Sequence, residues 1–159
     1  MNPGLVMYEE EFRKISGICD RLMRDAGAKV VFLVDKNGQL ISASGASQNL
    51  DTTSLASLTA GNVAAMGGLA KLIGENEFPS QFHEGERESI HMSIVGGKVV
   101  LVVIFDARSS LGLVRLRVKK ASEELARVFE QLSRRQSTPG VRSPLAEITD
   151  DDIDNLFSA

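Results

Sequence analysis

Two histidines, one cysteine, two glycine pairs and one loop arginine are the positions at which this sequence could carry chemistry. A zinc site needs Cys and His ligands at short, regular spacing. His83 and His91 stand alone at that task, with Cys19 far upstream, so they read as surface or strand residues. A phosphate cradle needs G-x-x-x-x-G-K-[ST]; Gly67-Gly68 lie within a helical pattern and Gly96-Gly97 between two strands. No nucleophile-elbow signature surrounds any serine. Cys19, the single cysteine, reads as a small buried hydrophobe. With no second cysteine an internal disulfide is excluded, and a reducing cytosol is the natural setting.

An arginine finger requires an exposed arginine able to reach the charge developing on a transferred phosphate. Arg108, in Asp106-Ala107-Arg108-Ser109, has the right kind of position; the competing reading is a solvated loop charge. Arg115, Arg117, Lys119 and Lys120 form a basic cluster that is either a solvated face or a dock for an acidic surface. No catalytic, cofactor-binding or metal-binding residue is assigned, and the chain is read as non-enzymatic.

The elements that would position these residues follow from composition and periodicity. The chain has 159 residues with a formal charge of −3. Residues 1–136 carry 17 Lys/Arg against 16 Asp/Glu, and residues 137–159 one Arg against five acids. A neutral body gives little electrostatic reason to bind nucleic acid. Met1–Tyr8 has no basic n-region of a signal peptide. The longest apolar run, Val99–Phe105, is too short to span a bilayer, so a cytoplasmic protein without membrane insertion is expected.

From Glu9 to Ala26, Phe12, Ile15, Cys19, Leu22 and Met23 recur at helical spacing, and Gly27 stops the helix. Lys29–Asp35 and Gln39–Ala43 flank Asn37-Gly38, which predicts a hairpin with a type I′ turn. Ser42–Asn49, small and polar, reads as a loop. Asp51 caps a second helix that stops at Gly74. Three strands follow, Gln81–Glu86, Ser89–Val95 and Lys98–Asp106, the last two joined at Gly96-Gly97. Val99–Phe105 has the unbroken apolarity of a central strand buried on both faces. A third amphipathic helix runs from Leu111 to Arg134, with Glu123–Arg127 and Glu130–Arg134 as i,i+4 pairs. This order predicts one α+β domain over 1–136, with helices packed on an antiparallel sheet. Residues 137–159 read as a flexible linker and an acidic tail, with Ile153, Leu156 and Phe157 set among four aspartates. That tail is either disordered or a linear motif that folds on a partner.

The second helix is the most informative segment. Leu55, Leu58, Met66, Leu69 and Ile73 share one side, which the periodicity makes the core face. Opposite lie Ser57, Ala60, Gly61, Ala64 and Gly68, with Lys71 as the first charge and Gly67 beside them. Gly61, Gly67 and Gly68 together cost about 2.5–3 kcal/mol relative to alanine. A flat face of small residues lets another backbone approach closely, so these seven positions are the candidate partner surface; cover by the protein's own chain is the alternative.

Lys29–Ser42 (KVVFLVDKNGQLIS), Thr59–Glu75 (TAGNVAAMGGLAKLIGE), Val99–Ser122 (VVLVVIFDARSSLGLVRLRVKKAS) and Asp150–Phe157 (DDDIDNLF) resemble the Roadblock family, in its bacterial GTPase-regulating branch. The resemblance implies the Roadblock fold, a five-stranded antiparallel sheet with helices on both faces in the order αββαβββα. It implies a homodimer joined through edge strands and second helices; here the edge expected is Gln81–Glu86. It further implies binding of one small Ras-like GTPase, whose own catalytic groups the dimer repositions to stimulate GTP hydrolysis in cell polarity and gliding motility, with concentration at a cell pole. Ala64 and Gly68 match positions expected at the GTPase contact, and the tail a second contact through Ile153, Leu156 and Phe157 that alters nucleotide exchange. The alternative is a scaffold that localises partners without accelerating hydrolysis.

Overall fold

Gly27 closes the first helix, α1 (Glu9–Ala26), in the left-handed conformation at φ 63°, and its backbone N–H reaches back to Arg24 O. That reversal turns the chain into β1 (Val30–Asp35) and β2 (Leu40–Gly45). The computed structural model describes residues 8–45 and 50–137. The remaining elements are α2 (Thr52–Leu72), β3 (Ser80–His83), β4 (Glu88–Val95), β5 (Val99–Asp106) and α3 (Leu111–Ser137). Their order is the αββαβββα read from the sequence.

The five strands form one antiparallel sheet in the order β2-β1-β5-β4-β3. β5 is central, as its unbroken apolarity required, with every residue from Val99 to Phe105 buried. The Gly96-Gly97 turn has positive φ at both glycines, 60° and 69°, the type I′ geometry that matches strand twist. The first hairpin departs from expectation. Asn37 does not have positive φ; only Gly38 does, at 92°. Gly38 N–H donates to Asp35 O while the Asp35 carboxylate accepts from the Asn37 and Gln39 N–H groups. The side chain of Asp35 thus replaces the I′ turn with a wider loop and a register shift at Leu33/Val34. β2 also continues to Gly45 through residues expected in a loop, because Ser42 and Ser44 pair with Leu33 and Val31. Residues 46–49 of that expected loop lie outside the described residues.

Alternate residues of the sheet fill two cores. On one face Val31, Leu33, Leu101, Val103 and Phe105 pack under α1 and α3, which run side by side. Ile15, Ile18, Cys19 and Leu22 come from α1; Val114, Val118, Leu125, Phe129 and Leu132 come from α3. Phe12, expected in this core, is 44% exposed, and Ile18 takes the inward place. On the other face Val30, Phe32, Val34, Val100, Val102 and Ile104 form a second core, where α2 is the one helix packed among the described residues. The result is a sheet with helices on both faces, two against one. α3 extends to Ser137, three residues past the Arg134 expected as its end. Residues 138–159, including the tail positions Ile153, Leu156 and Phe157, lie outside the described residues.

Candidate functional site

Asp51 fixes the start of α2: its carboxylate accepts from Ser54 N–H at 3.0 Å and Ser54 hydroxyl at 2.6 Å. A cap of this kind stabilises a helix by about 1 kcal/mol. Those hydrogen bonds to Ser54 hold the Asp51 carboxyl below its usual value. Gly74, at φ 86°, ends the helix.

The orientation of α2 overturns one expectation. Its buried residues are Ala56, Thr59, Val63 and Ala70, all small apart from Val63. Three of the five residues expected on the core face point outward instead, with Leu58 72% exposed, Leu69 49% and Ile73 66%, and Leu72 beside them at 83%, while Met66 is half-buried. Only Leu55 of the leucines packs partly against the sheet. The physical reason is proximity. Small inward residues let α2 lie low on β1 and β2, and a leucine stripe there would hold it away. The face expected to carry a partner is also open. Ser57, Gly61, Ala64, Gly68 and Lys71 are exposed, while Ala60 and Gly67 are half-buried at its margin. A Cβ built at Gly61, Gly67 or Gly68 meets nothing within 4 Å, so no described part of the chain occupies the space these glycines leave.

Five of the seven candidate positions line one groove of ≈ 360 Å³: Ala60, Ala64, Gly67, Gly68 and Lys71, closed on the far side by Lys36, Asn76 and Glu77. Lys36, in the first hairpin turn, pairs with Glu77 at 3.2 Å and ties that turn to the segment after α2. Ser57 and Gly61 continue the same face toward the helix start. Periodicity holds no sign that Lys36, Asn76 and Glu77 belong to this site; only tertiary contact brings them there.

The uncovered surface does not stop at α2. The helix lies over β1 and β2, whereas Ile90 and Ile94 on the same face of β4 remain half-buried. β3 borders them as an edge strand with β4 as its neighbour in the sheet. It is shorter than the Gln81–Glu86 strand expected, and it occupies the expected edge.

The other chemically suggestive residues resolve into structural roles. Cys19 is fully buried, and burial pushes its thiol up to about 12, which leaves no reactive thiolate at neutral pH. His91 sits inside β4 at 3% exposure; burial, then the nearby Arg115, lowers its pKa. His83 pairs at 3.3 Å with Gln81 on the edge strand. Among the described residues no group of three His, Cys, Asp or Glu is placed to hold a metal ion. Arg108 is folded back onto Asp106, whose carboxylate it meets through Nε at 3.2 Å and Nη2 at 3.0 Å. That contact holds Asp106 below the usual carboxylate range. No helix among the described residues is long and apolar enough to cross a membrane.

Comparison with known proteins agrees with this architecture. Residues 14–105 match the family model described as Roadblock/LC7 domain. The chain is similar to Myxococcus xanthus MglB, with 77% identity over 80% of this chain and 96% of that one, at a TM-score of 0.77. It is similar to the gliding protein MglB of Thermus thermophilus, with 35% identity over 82% and 99% of the two chains, at 0.77. A structure described as MglB with tetrameric arrangement matches at 33% identity over 83% and 99%, with a TM-score of 0.78.

Proposed function

The chain belongs to the Roadblock/LC7 family, and from that premise we propose that it is a non-enzymatic, homodimeric regulator that binds a small Ras-like GTPase of the MglA type and stimulates its GTP hydrolysis. The observation that carries this reading is the outer face of α2. Twenty-one residues of helix expose leucines and glycines and reach their first charge at Lys71. An exposed face of that kind carries more apolar surface than singly scattered residues, which marks an interaction site. The likeness to two proteins called MglB supports the same reading.

Two uses of the surface are combined in this proposal. β3, an edge strand, joins its counterpart in a second copy, since unpaired edges are paired or protected. The α2 groove, with Ala64 and Gly68 at its centre, takes the GTPase. Binding orders the GTPase's own switch loops, which suits Arg108, already committed to Asp106. The acidic tail, with Ile153, Leu156 and Phe157, is a second contact that changes nucleotide exchange. The protein works in the cytoplasm, at a cell pole, in polarity and gliding motility. Single-turnover GTP hydrolysis by the cognate GTPase tests the reading: rate rises with added protein, and an unchanged rate with intact binding leaves only a scaffold. Sedimentation at micromolar concentration should report about twice the 17.2 kDa chain mass.

A further inference from the structure

Under α3, on the sheet face opposite α2, β4 presents a polar strip where the rest of the core is apolar. Ser89, His91 and Ser93 alternate onto this face, in register with Phe105, Val103 and Leu101 of β5. His91 is 3% exposed and Ser93 8%. Even so, His91 Nδ1 and Ser93 Oγ are shielded without a hydrogen-bond partner among the described residues. Burial without a partner is costly for such atoms, and exposure to water would satisfy them. The cover over the strip is thin. Phe82 of β3 is the register partner of His91, faces the same way, and stacks on Phe105 with ring centroids 6.1 Å apart. β3 is four residues long with none fully buried, and within the sheet it is held by β4 alone. β4 is fastened to β5 along its whole length, Glu88 to Val95, so β3 can leave without it.

The surroundings of the imidazole are one-sided. From α3 the charged group that faces it is Arg115; β5 contributes Leu101, Val103 and Phe105, and β3 Phe82, none of them titratable. No carboxylate among the described residues pairs with the ring. We propose that this strip makes β3 an acid-operated latch: a proton on His91 releases β3 and Phe82 from the body while β1, β5, α1 and α3 stay closed. With β3 in place, burial first and Arg115 second hold the ring neutral. When β3 peels away, Phe82 leaves the ring to water, where it takes up a proton at its ordinary value. That proton opposes reclosure, since closing would bury a cation beside Arg115. The folded value is the depressed one, so the closed edge is fully favoured above the ordinary 6.5 and loses ground as pH falls toward the folded value. One proton per opening raises the open population by up to about tenfold per pH unit across that window. Opening stays local because β3 is the thinly packed segment and the core beneath α1 and α3 does not depend on it.

Hydrogen–deuterium exchange of the full chain, from about pH 8 to about pH 5 and corrected for the intrinsic pH dependence of amide exchange, tests this. Opening of the amides shared by β3 and β4 should be flat at the alkaline end, then rise toward about tenfold per pH unit below 6.5. Amides between β1 and β5 should not follow. His91→Gln should make β3 opening independent of pH. Arg115→Gln, an exposed change, should make the rise level off at a higher pH, because a like charge has gone; if His91→Gln does not fold, this variant decides. His83 lies on the other face of β3, in register with Ile90, so His83→Gln should leave the rise intact. A flat profile in the parent, a rise that survives His91→Gln or is lost in His83→Gln, or equal opening of β1 and β5 overturns the proposal. Because β3 is the edge proposed to join a second copy, acid should also weaken the dimer, a consequence that rests on that reading. An acid-responsive β3 in a chain that sediments as a monomer would fail the dimer and leave the latch standing.

Discussion

Replacing Gly61 and Gly68 of α2 by alanine separates what the chain needs from what its partner needs. Both residues are helical and exposed, and an added Cβ meets no atom within 4 Å at either. Each substitution then returns about 0.8–1.0 kcal/mol of helix propensity, or about 1.6–2 kcal/mol together. For a chain of this length, Tm should rise by about 4–8 °C, read by circular dichroism. Gly68→Arg has nearly the same propensity benefit but places a long side chain on the floor of the α2 groove. Overpacking a close contact costs about 1–3 kcal/mol, so GTPase affinity should fall by about tenfold or more. The expected signature is therefore a protein more stable than its parent and poorer at stimulating hydrolysis. A lower Tm in the alanine pair would refute the open face, because something must then already occupy the space. Full stimulation by Gly68→Arg would remove the groove from the contact.

Arg108→Ala should reduce stimulated hydrolysis by less than about tenfold, against the roughly 10³–10⁵ of an arginine finger; a loss near a thousandfold with binding intact would make it catalytic. Glu11, held below its usual carboxyl value first by the hydrogen bond from Arg135, binds the start of α1 to the end of α3. A depressed carboxyl pKa means stability present above the unfolded value and lost as pH falls through the folded one. Thermal stability should thus fall as pH drops below 4.5, and Glu11→Gln should show a flatter acid limb at a lower neutral Tm; identical acid limbs would exclude this pair as a contributor. Cys19, with its thiol pushed up to about 12, should resist thiol reagents at mildly alkaline pH in the folded state and react fully in denaturant; fast native labelling contradicts its burial.

Most of the framework is legible because local chemistry dictates it. The Gly27 stop, the Asp51 cap, the Gly96-Gly97 turn and the uninterrupted β5 each have a residue that admits one local solution. The Asn37-Gly38 turn escapes that logic because the deciding group is neither residue but the Asp35 carboxylate, which bonds the backbone at Asn37 and Gln39. Extension of β2 to Gly45 is hidden for a related reason: Ser42 and Ser44 pair with Leu33 and Val31, residues of another strand. At the candidate site, periodicity finds the small-residue face but not Lys36, Asn76 and Glu77, which arrive from other segments.

The reversed leucine face of α2 has a deeper cause. Hydrophobic periodicity locates the side of a helix that avoids water; it does not say whether the cover is the same chain or another. In a helix serving one core, apolar and buried are the same stripe. In α2 they are different stripes, with Ala56, Thr59, Val63 and Ala70 against the sheet and Leu58, Leu69 and Leu72 away from it. A helix that buries small residues inside and shows leucines outside gains little from its own fold. Placing those leucines inward would contribute about 1.5–3 kcal/mol of burial each. The sequence forgoes that stabilisation at several positions and adds the glycine cost besides. Such a conflict between local stability and arrangement is what a surface shaped for a partner produces. The leucine stripe that periodicity assigns to the core is therefore exposed apolar surface that supports the proposed interface, beside the groove that Ala64 and Gly68 line. Leu58→Asp and Leu72→Asp should accordingly leave the monomer's Tm nearly unchanged while weakening dimer or GTPase binding; a large drop in Tm with binding intact would return the stripe to the core.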